Sequence, residues 1–237
     1  MKNINVKGFT LSLIAALFMS GFAQAGGGDD PLLTKVMFDE VERGVGSNDP
    51  TSFNIQAWVG KDINKFWLKT KGEYEDADDK ELEIQALYSR AIAPYWDAQI
   101  GVRVDLEPSP SRSWAVLGLQ GLAPYFFEID AALFIGDEGR TAMRVSAEYE
   151  MLLTQKLILS PEVKVNFYGQ NDADLGIGSG LSDLSTGLRL RYEIKREFAP
   201  YIGVEWARKF GNTAEFARNE GKKVEGTQVV IGLKAWF

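Results

Sequence analysis

Through most of this chain the apolar residues recur at every second position, which is the period of a half-buried strand and not of a helix. In LILSPEVKVNFY (157–168), Leu157, Leu159, Val163, Val165 and Phe167 share one face, while Ser160, Glu162, Lys164, Asn166 and Tyr168 share the other. The same rhythm holds at 182–194, where Leu184, Leu188, Leu190, Tyr192 and Ile194 oppose Arg189, Arg191 and Glu193. It holds again at 140–151, where Met143, Val145, Ala147, Tyr149 and Met151 oppose Arg140, Arg144, Glu148 and Glu150. It predicts twelve strands, near 34–43, 52–60, 64–74, 81–92, 95–106, 113–122, 125–135, 140–151, 156–168, 182–194, 199–210 and 226–237.

The first 25 residues break this rhythm. MKNINVKGFTLSLIAALFMSGFAQA places Lys2 and Lys7 before an apolar stretch and ends on Ala23-Gln24-Ala25, the form of a cleaved secretory signal peptide. Removing it from 237 residues leaves 212, enough for one large domain. The leader also takes two lysines, so the formal charge moves from −7 to −9, an acidic balance that argues against a nucleic-acid partner. There is no cysteine, so neither a lipid anchor nor disulfides are expected. No apolar run after the leader is long enough for a membrane helix.

The connections alternate in kind. Short links at 61–64, 93–94, 123–124, 153–155 and 196–200 alternate with polar loops at 44–50, 75–80, 107–112, 136–139, 169–180 and 211–223. Tight turns on one rim and longer polar loops on the other define an all-β, closed antiparallel transmembrane barrel of the outer-membrane type. The expected layout is a cleaved signal peptide at 1–25, a short periplasmic segment at 26–33 and the barrel at 34–237, with both termini periplasmic. Ala-Pro-Tyr occurs at 93–95, 123–125 and 199–201, and all three copies are expected on the tight rim. There proline can begin a strand and tyrosine can sit at headgroup depth. The chain ends VVIGLKAWF, with Phe237 on the outward face of an amphipathic final strand, the form of an assembly signal read by the barrel-assembly machinery.

Strand parity turns many charges inward: Lys69, Lys71, Glu73, Asp97, Arg103, Asp105, Glu128, Asp130, Arg140, Arg144, Glu148, Glu150, Glu162, Lys164, Arg189, Arg191, Glu193 and Glu205. Two readings stay open. Opposite charges can pair across a modest bore and plug it. Alternatively Asp97, Asp105, Glu128, Asp130 and Glu148 line a cation path, with Arg189 and Arg191 opposite setting a transverse field. The acidic stretch EYEDADDKE (73–81) reads as a solvated outer loop or a cation funnel, and GIGSG (176–180) as flexible loop chemistry, since no lysine or helix follows in a P-loop pattern.

Long segments resemble the copper resistance protein B family: QGLAPYFFEIDAALFIGDEGR (120–140), AEYEMLLTQKLILSPEVKVNFYG (147–169) and GIGSGLSDLSTGLRLRYEIKREFAPYIGVEWARKFG (176–211). AWVGKDINKFWLKTKGE (57–73) and GVRVDLEP (101–108) are similar to it too, so the resemblance covers roughly 31–237. It implies an outer-membrane barrel of a copper-resistance system, handling copper ions by binding, passage or exclusion. It also implies a periplasmic multicopper oxidase and other copper-resistance proteins as partners. The alternative is a small general or solute-specific pore, or a plugged structural barrel, without copper specificity. The family's Met- and His-rich segment before the barrel is replaced here by GGGDDPLLTKV, and the chain has no histidine. Copper(I) prefers sulfur and copper(II) imidazole. The soft donors after the leader are Met37, Met143 and Met151, of which only Met37 is expected to face inward, beside Asp39. Met37 and Asp39 are therefore the candidate metal residues. An enzyme is not expected: hydrolytic barrels use a histidine base, and inward acids such as Glu128 and Asp130 need no glycosidase role to explain them.

Overall fold

The computed structural model describes residues 30–46, 50–74 and 80–237. The expected signal peptide and the centre of the acidic loop 73–81 lie outside the described residues. Thirteen strands are present: β1 (Leu33–Val45), β2 (Thr51–Gly60), β3 (Asn64–Tyr74), β4 (Lys80–Ala93), β5 (Trp96–Glu107), β6 (Arg112–Ala123), β7 (Phe127–Gly136), β8 (Thr141–Tyr149), β9 (Met151–Leu152), β10 (Leu157–Tyr168), β11 (Gly180–Tyr192), β12 (Phe198–Lys209) and β13 (Glu225–Trp236). Short β9 continues β8 beyond Glu150, and both pair with β10, so they form one stave of a twelve-stave wall.

Each stave pairs antiparallel with its sequence neighbours, and β1 pairs with β13 to close the ring. Val36 and Phe237 exchange backbone hydrogen bonds of 2.9 Å at that seam, and the Phe38 and Phe237 rings meet edge to face. Closure removes every free sheet edge, the condition for a β-structure to sit in hydrocarbon. Apart from β9 the strands run from 9 to 14 residues, enough to cross a bilayer at a tilt.

The dyad pattern decides the two faces. Ile100, Val102, Leu117, Val163, Leu188, Ile202 and Ile231 are exposed on the outer wall. Their strand neighbours Lys69, Gln85, Gln99, Arg103, Ser160, Arg189 and Arg191 are buried inside. One arc of the interior is apolar: Trp67, Leu87, Trp114, Val116, Phe134 and Ala142 form a cluster against which Met37 and Trp58 pack.

Three features depart from the sequence expectation. A bulge in β1 between Phe38 and Glu40 shifts the register, so Met37 and Asp39 face inward and then Glu40 and Glu42 do as well. Strict alternation puts those two glutamates outside. The polar loop after β12 contains a helix, α1 (Gly211–Asn219), with Thr213, Ala214 and Ala217 buried against the barrel end. The third Ala-Pro-Tyr copy is not a rim turn. Tyr95 and Tyr125 do occupy tight turns with φ of 67° and are highly exposed, and at the second copy Phe126 follows in the same left-handed region with φ of 66°. Chain reversal before β12 instead closes between Lys195 and Phe198. This draws Pro200 and Tyr201 into the stave, where Tyr201 is buried inside. Its ring covers Gly232 of β13, where an added Cβ would lie 2.5 Å from the phenol ring.

Candidate functional site

The interior is organised by height between the two rims. Nearest the long loops, Glu83 of β4 takes a bidentate pair from Arg144 of β8 at 2.8 and 3.0 Å and a third bond from Arg103 of β5 at 3.0 Å. Arg103 also reaches Asp105 at 2.6 Å, and Asp105 accepts the Trp114 indole N–H at 2.8 Å. Both guanidinium groups lie over the Phe134 ring, at 4.7 and 5.6 Å from its centre. Asn166 extends the layer by accepting from Arg144 and donating to Asp183 at 2.7 Å.

Lower down, on the arc from β10 to β1, Arg189 serves four carboxylates. It bonds Glu42, Glu162 at 2.8 Å and Glu205 at 3.2 Å, and lies 3.5 Å from Glu40. Lys164 bridges Glu40 and Glu162 at 2.9 and 3.0 Å. On the facing arc Lys69 donates to Asp130 at 2.9 Å and to Gln99 and Gln120 at 3.3 Å each.

At the tight-turn end Asp97 is held by Lys65 at 3.4 Å and by the Ser89 hydroxyl at 3.2 Å. Arg191 pairs with Glu150 at 2.7 Å, and Lys234 lies 3.6 Å from the same carboxylate. Between these layers is a chamber of about 410 Å³. Its lining includes Met37, Asp39, Glu128, Asp130, Glu148, Arg189 and Arg191, so most of the residues expected from parity share one cavity. Asp97 and Asp105 also face inward, but they sit in ion pairs outside that lining.

Arg140 directly precedes β8. It belongs to the long-loop rim, where it pairs with Asp137 at 3.0 Å, Glu138 at 2.6 Å and Asp172 at 3.5 Å. Glu40 and Glu42 were hidden by the bulge. Glu83 was legible, since it shares the parity of Gln85 and Leu87 in β4.

For a copper ion the donors in the chamber are sparse. Met37 packs against the aromatic cluster, and one oxygen of Asp39 accepts the Gln56 amide at 2.7 Å. Among the described residues no group of three or more acidic ligands converges as a metal cage. One thioether beside one carboxylate is less than a soft-metal site normally uses.

A closed twelve-stave antiparallel wall, apolar outside and ionic within, defines an outer-membrane β-barrel. Solved porins share it: the NanC porin aligns with a TM-score of 0.56 at 11% identity, covering 86% of this chain and 99% of that one. The KdgM porin aligns with a TM-score of 0.54, also at 11% identity, covering 86% and 99% respectively. At that identity the likeness is one of fold alone. The family is fixed by sequence. Residues 32–237 match the model described as Copper resistance protein B precursor, and this chain belongs to that family. It is 43% identical over 203 residues to Copper resistance protein B of Escherichia coli, covering 85% of this chain and 69% of that protein. It is 45% identical over 186 residues to the Copper resistance protein B homolog of Pseudomonas syringae pv. tomato, covering 78% of this chain and 63% of that protein. The word precursor accords with the leader read at 1–25.

Proposed function

We propose that this barrel is the outer-membrane member of a copper-resistance system and handles copper ions at that membrane, with both termini on the periplasmic side and no enzymatic activity of its own. The observation that carries this reading is family membership across residues 32–237. Copper is cargo in this reading and no resident cofactor is required. Periplasmic partners, a multicopper oxidase among them, would meet the barrel at its tight-turn rim, the side on which β1 begins and β13 ends. The chamber at that end offers Met37, Asp39, Glu128, Asp130 and Glu148 as contacts for an ion.

The decisive experiment pairs cells and purified protein. Deleting the gene should lower copper tolerance, and restoring it should recover the loss. Copper titration of the purified barrel against Met37→Ala tests whether the thioether takes part. Equal tolerance with and without the gene would reject the copper role.

The competing reading, a plugged structural barrel, is favoured by the paired charges themselves. Arg103, Arg144 and Glu83 span the bore toward the long loops, and Arg189 and Lys164 close off four carboxylates below them. Planar-bilayer recording separates the two. A path through the lumen requires that Asp97→Ala, Glu128→Ala and Asp130→Ala together change conductance or cation selectivity, and an unchanged trace rejects it.

A further inference from the structure

Among the described residues six acids line the chamber. Four have hydrogen-bonding or cationic partners: Asp39 with Gln56, Glu40 with Lys164, Asp130 with Lys69 and Glu162 with Arg189. Glu128 and Glu148 make no hydrogen bond or ion pair among the described residues. They also stand directly opposite each other on β7 and β8, and Glu148 stands directly opposite Glu162 on β10. Opposed residues in an antiparallel pair have Cβ atoms about 5 Å apart, and like charges there repel.

The local balance is uneven. At the tight-turn end the carboxylates of Asp39, Glu128, Glu148 and Glu150 face the cations of Arg191 and Lys234. Arg191 is committed to Glu150, leaving an excess of two negative charges around the Glu128 and Glu148 pair. A second observation points the same way. The Ser160 hydroxyl, in a residue 2% exposed, lines this chamber without a hydrogen-bond partner among the described residues. The Gln56 carbonyl oxygen is likewise buried and unpartnered beside Asp39. Buried polar groups without protein partners are satisfied by ordered water or a ligand.

We propose that Glu128 and Glu148 hold one hydrated, hard divalent cation of the Mg²⁺ and Ca²⁺ class at the tight-turn end of the chamber, with its water shell received by Ser160 and Gln56. An all-oxygen donor set selects hard cations over soft ones. Two carboxylates with retained water are the usual means of binding Mg²⁺, which gives up its hydration reluctantly. Glu128 is solvent-exposed, so the ion exchanges through the rim. This assignment stands apart from the copper role and fails or holds independently of it.

The test uses the metal-stripped full chain in detergent micelles, with Mn²⁺ as a paramagnetic probe of the same ligand preference. One saturable Mn²⁺ site is expected, displaced by Mg²⁺. Glu128→Gln and Glu148→Gln should each weaken it by about tenfold to a hundredfold. Glu138→Gln on the opposite rim should leave it unchanged. Mg²⁺ should raise the urea midpoint of the wild type and not that of the Glu128→Gln, Glu148→Gln double variant. That variant, freed of its repulsion, should be at least as stable as the metal-free wild type. No saturable Mn²⁺ site, retention of the site in the double variant, or binding of Cu²⁺ with none of Mn²⁺ would each overturn the assignment.

Discussion

Arg189 shows how much one side chain can hold in place. Its guanidinium gathers carboxylates from β1, β10 and β12, and Glu42 is almost fully buried at 3% exposure. Removing one partner of a buried pair leaves the other charge uncompensated, at a cost of about 3–5 kcal/mol. Arg189→Met is therefore expected to lower the unfolding free energy in micelles by that order, read as a drop in urea midpoint. Adding Glu42→Gln and Glu162→Gln should recover most of the loss, because the stranded charges are then gone. A single variant as stable as wild type would show that the network is ornamental. Arg189 was visible in the sequence as an inward charge. Its main partner was not, since the backbone bulge that turns Glu42 inward leaves no mark in the spacing of apolar residues.

The staves were legible because lipid and lumen impose opposite demands on alternate residues, so the period survives wherever no bulge interrupts it, as one does in β1. The loops obey no such rule. GNTAEFARN has only Ala214, Phe216 and Ala217 as apolar residues and reads as a polar loop, yet it forms α1, stabilised by tertiary contacts: Thr213 accepts the Gly178 amide at 2.8 Å and meets Ser182 at 3.1 Å. Gly178 has no room for a side chain there, as a Cβ would lie 2.3 Å from the Thr213 amide nitrogen. The β10–β11 loop is fastened from the other side by Asp172, which accepts from buried Arg112 at 3.0 and 3.1 Å on one carboxylate oxygen and at 3.3 Å on the other. Asp172→Asn should weaken that fastening by about 1–3 kcal/mol. The expected readout is faster hydrogen exchange and proteolytic nicking within 169–179, with the staves themselves unaffected. Protection equal to wild type would mean that α1 alone holds the loop. The third Ala-Pro-Tyr copy failed as a turn marker for a related reason: a tripeptide suits several backbone settings, and the reversal at Lys195–Phe198 had already been made when the chain reached it.

For the molecule as a whole, the paired interior predicts a low conductance. Substituting both Arg103 and Arg144 with alanine removes the cations that tie Glu83 and Asp105 across the bore. Single-channel conductance is expected to rise and cation selectivity to sharpen, as carboxylates then line the passage alone. An unaltered trace would place the barrier elsewhere. The contrasting fates of the Ala-Pro-Tyr tyrosines also equip the barrel with its own integrity reporter. Tyr95 and Tyr125 are 77% and 83% exposed, whereas Tyr201 is 8% exposed behind the wall. A mild nitrating or iodinating reagent will mark the first two and spare the third for as long as the ring stays shut, and the appearance of label on Tyr201 will time its opening.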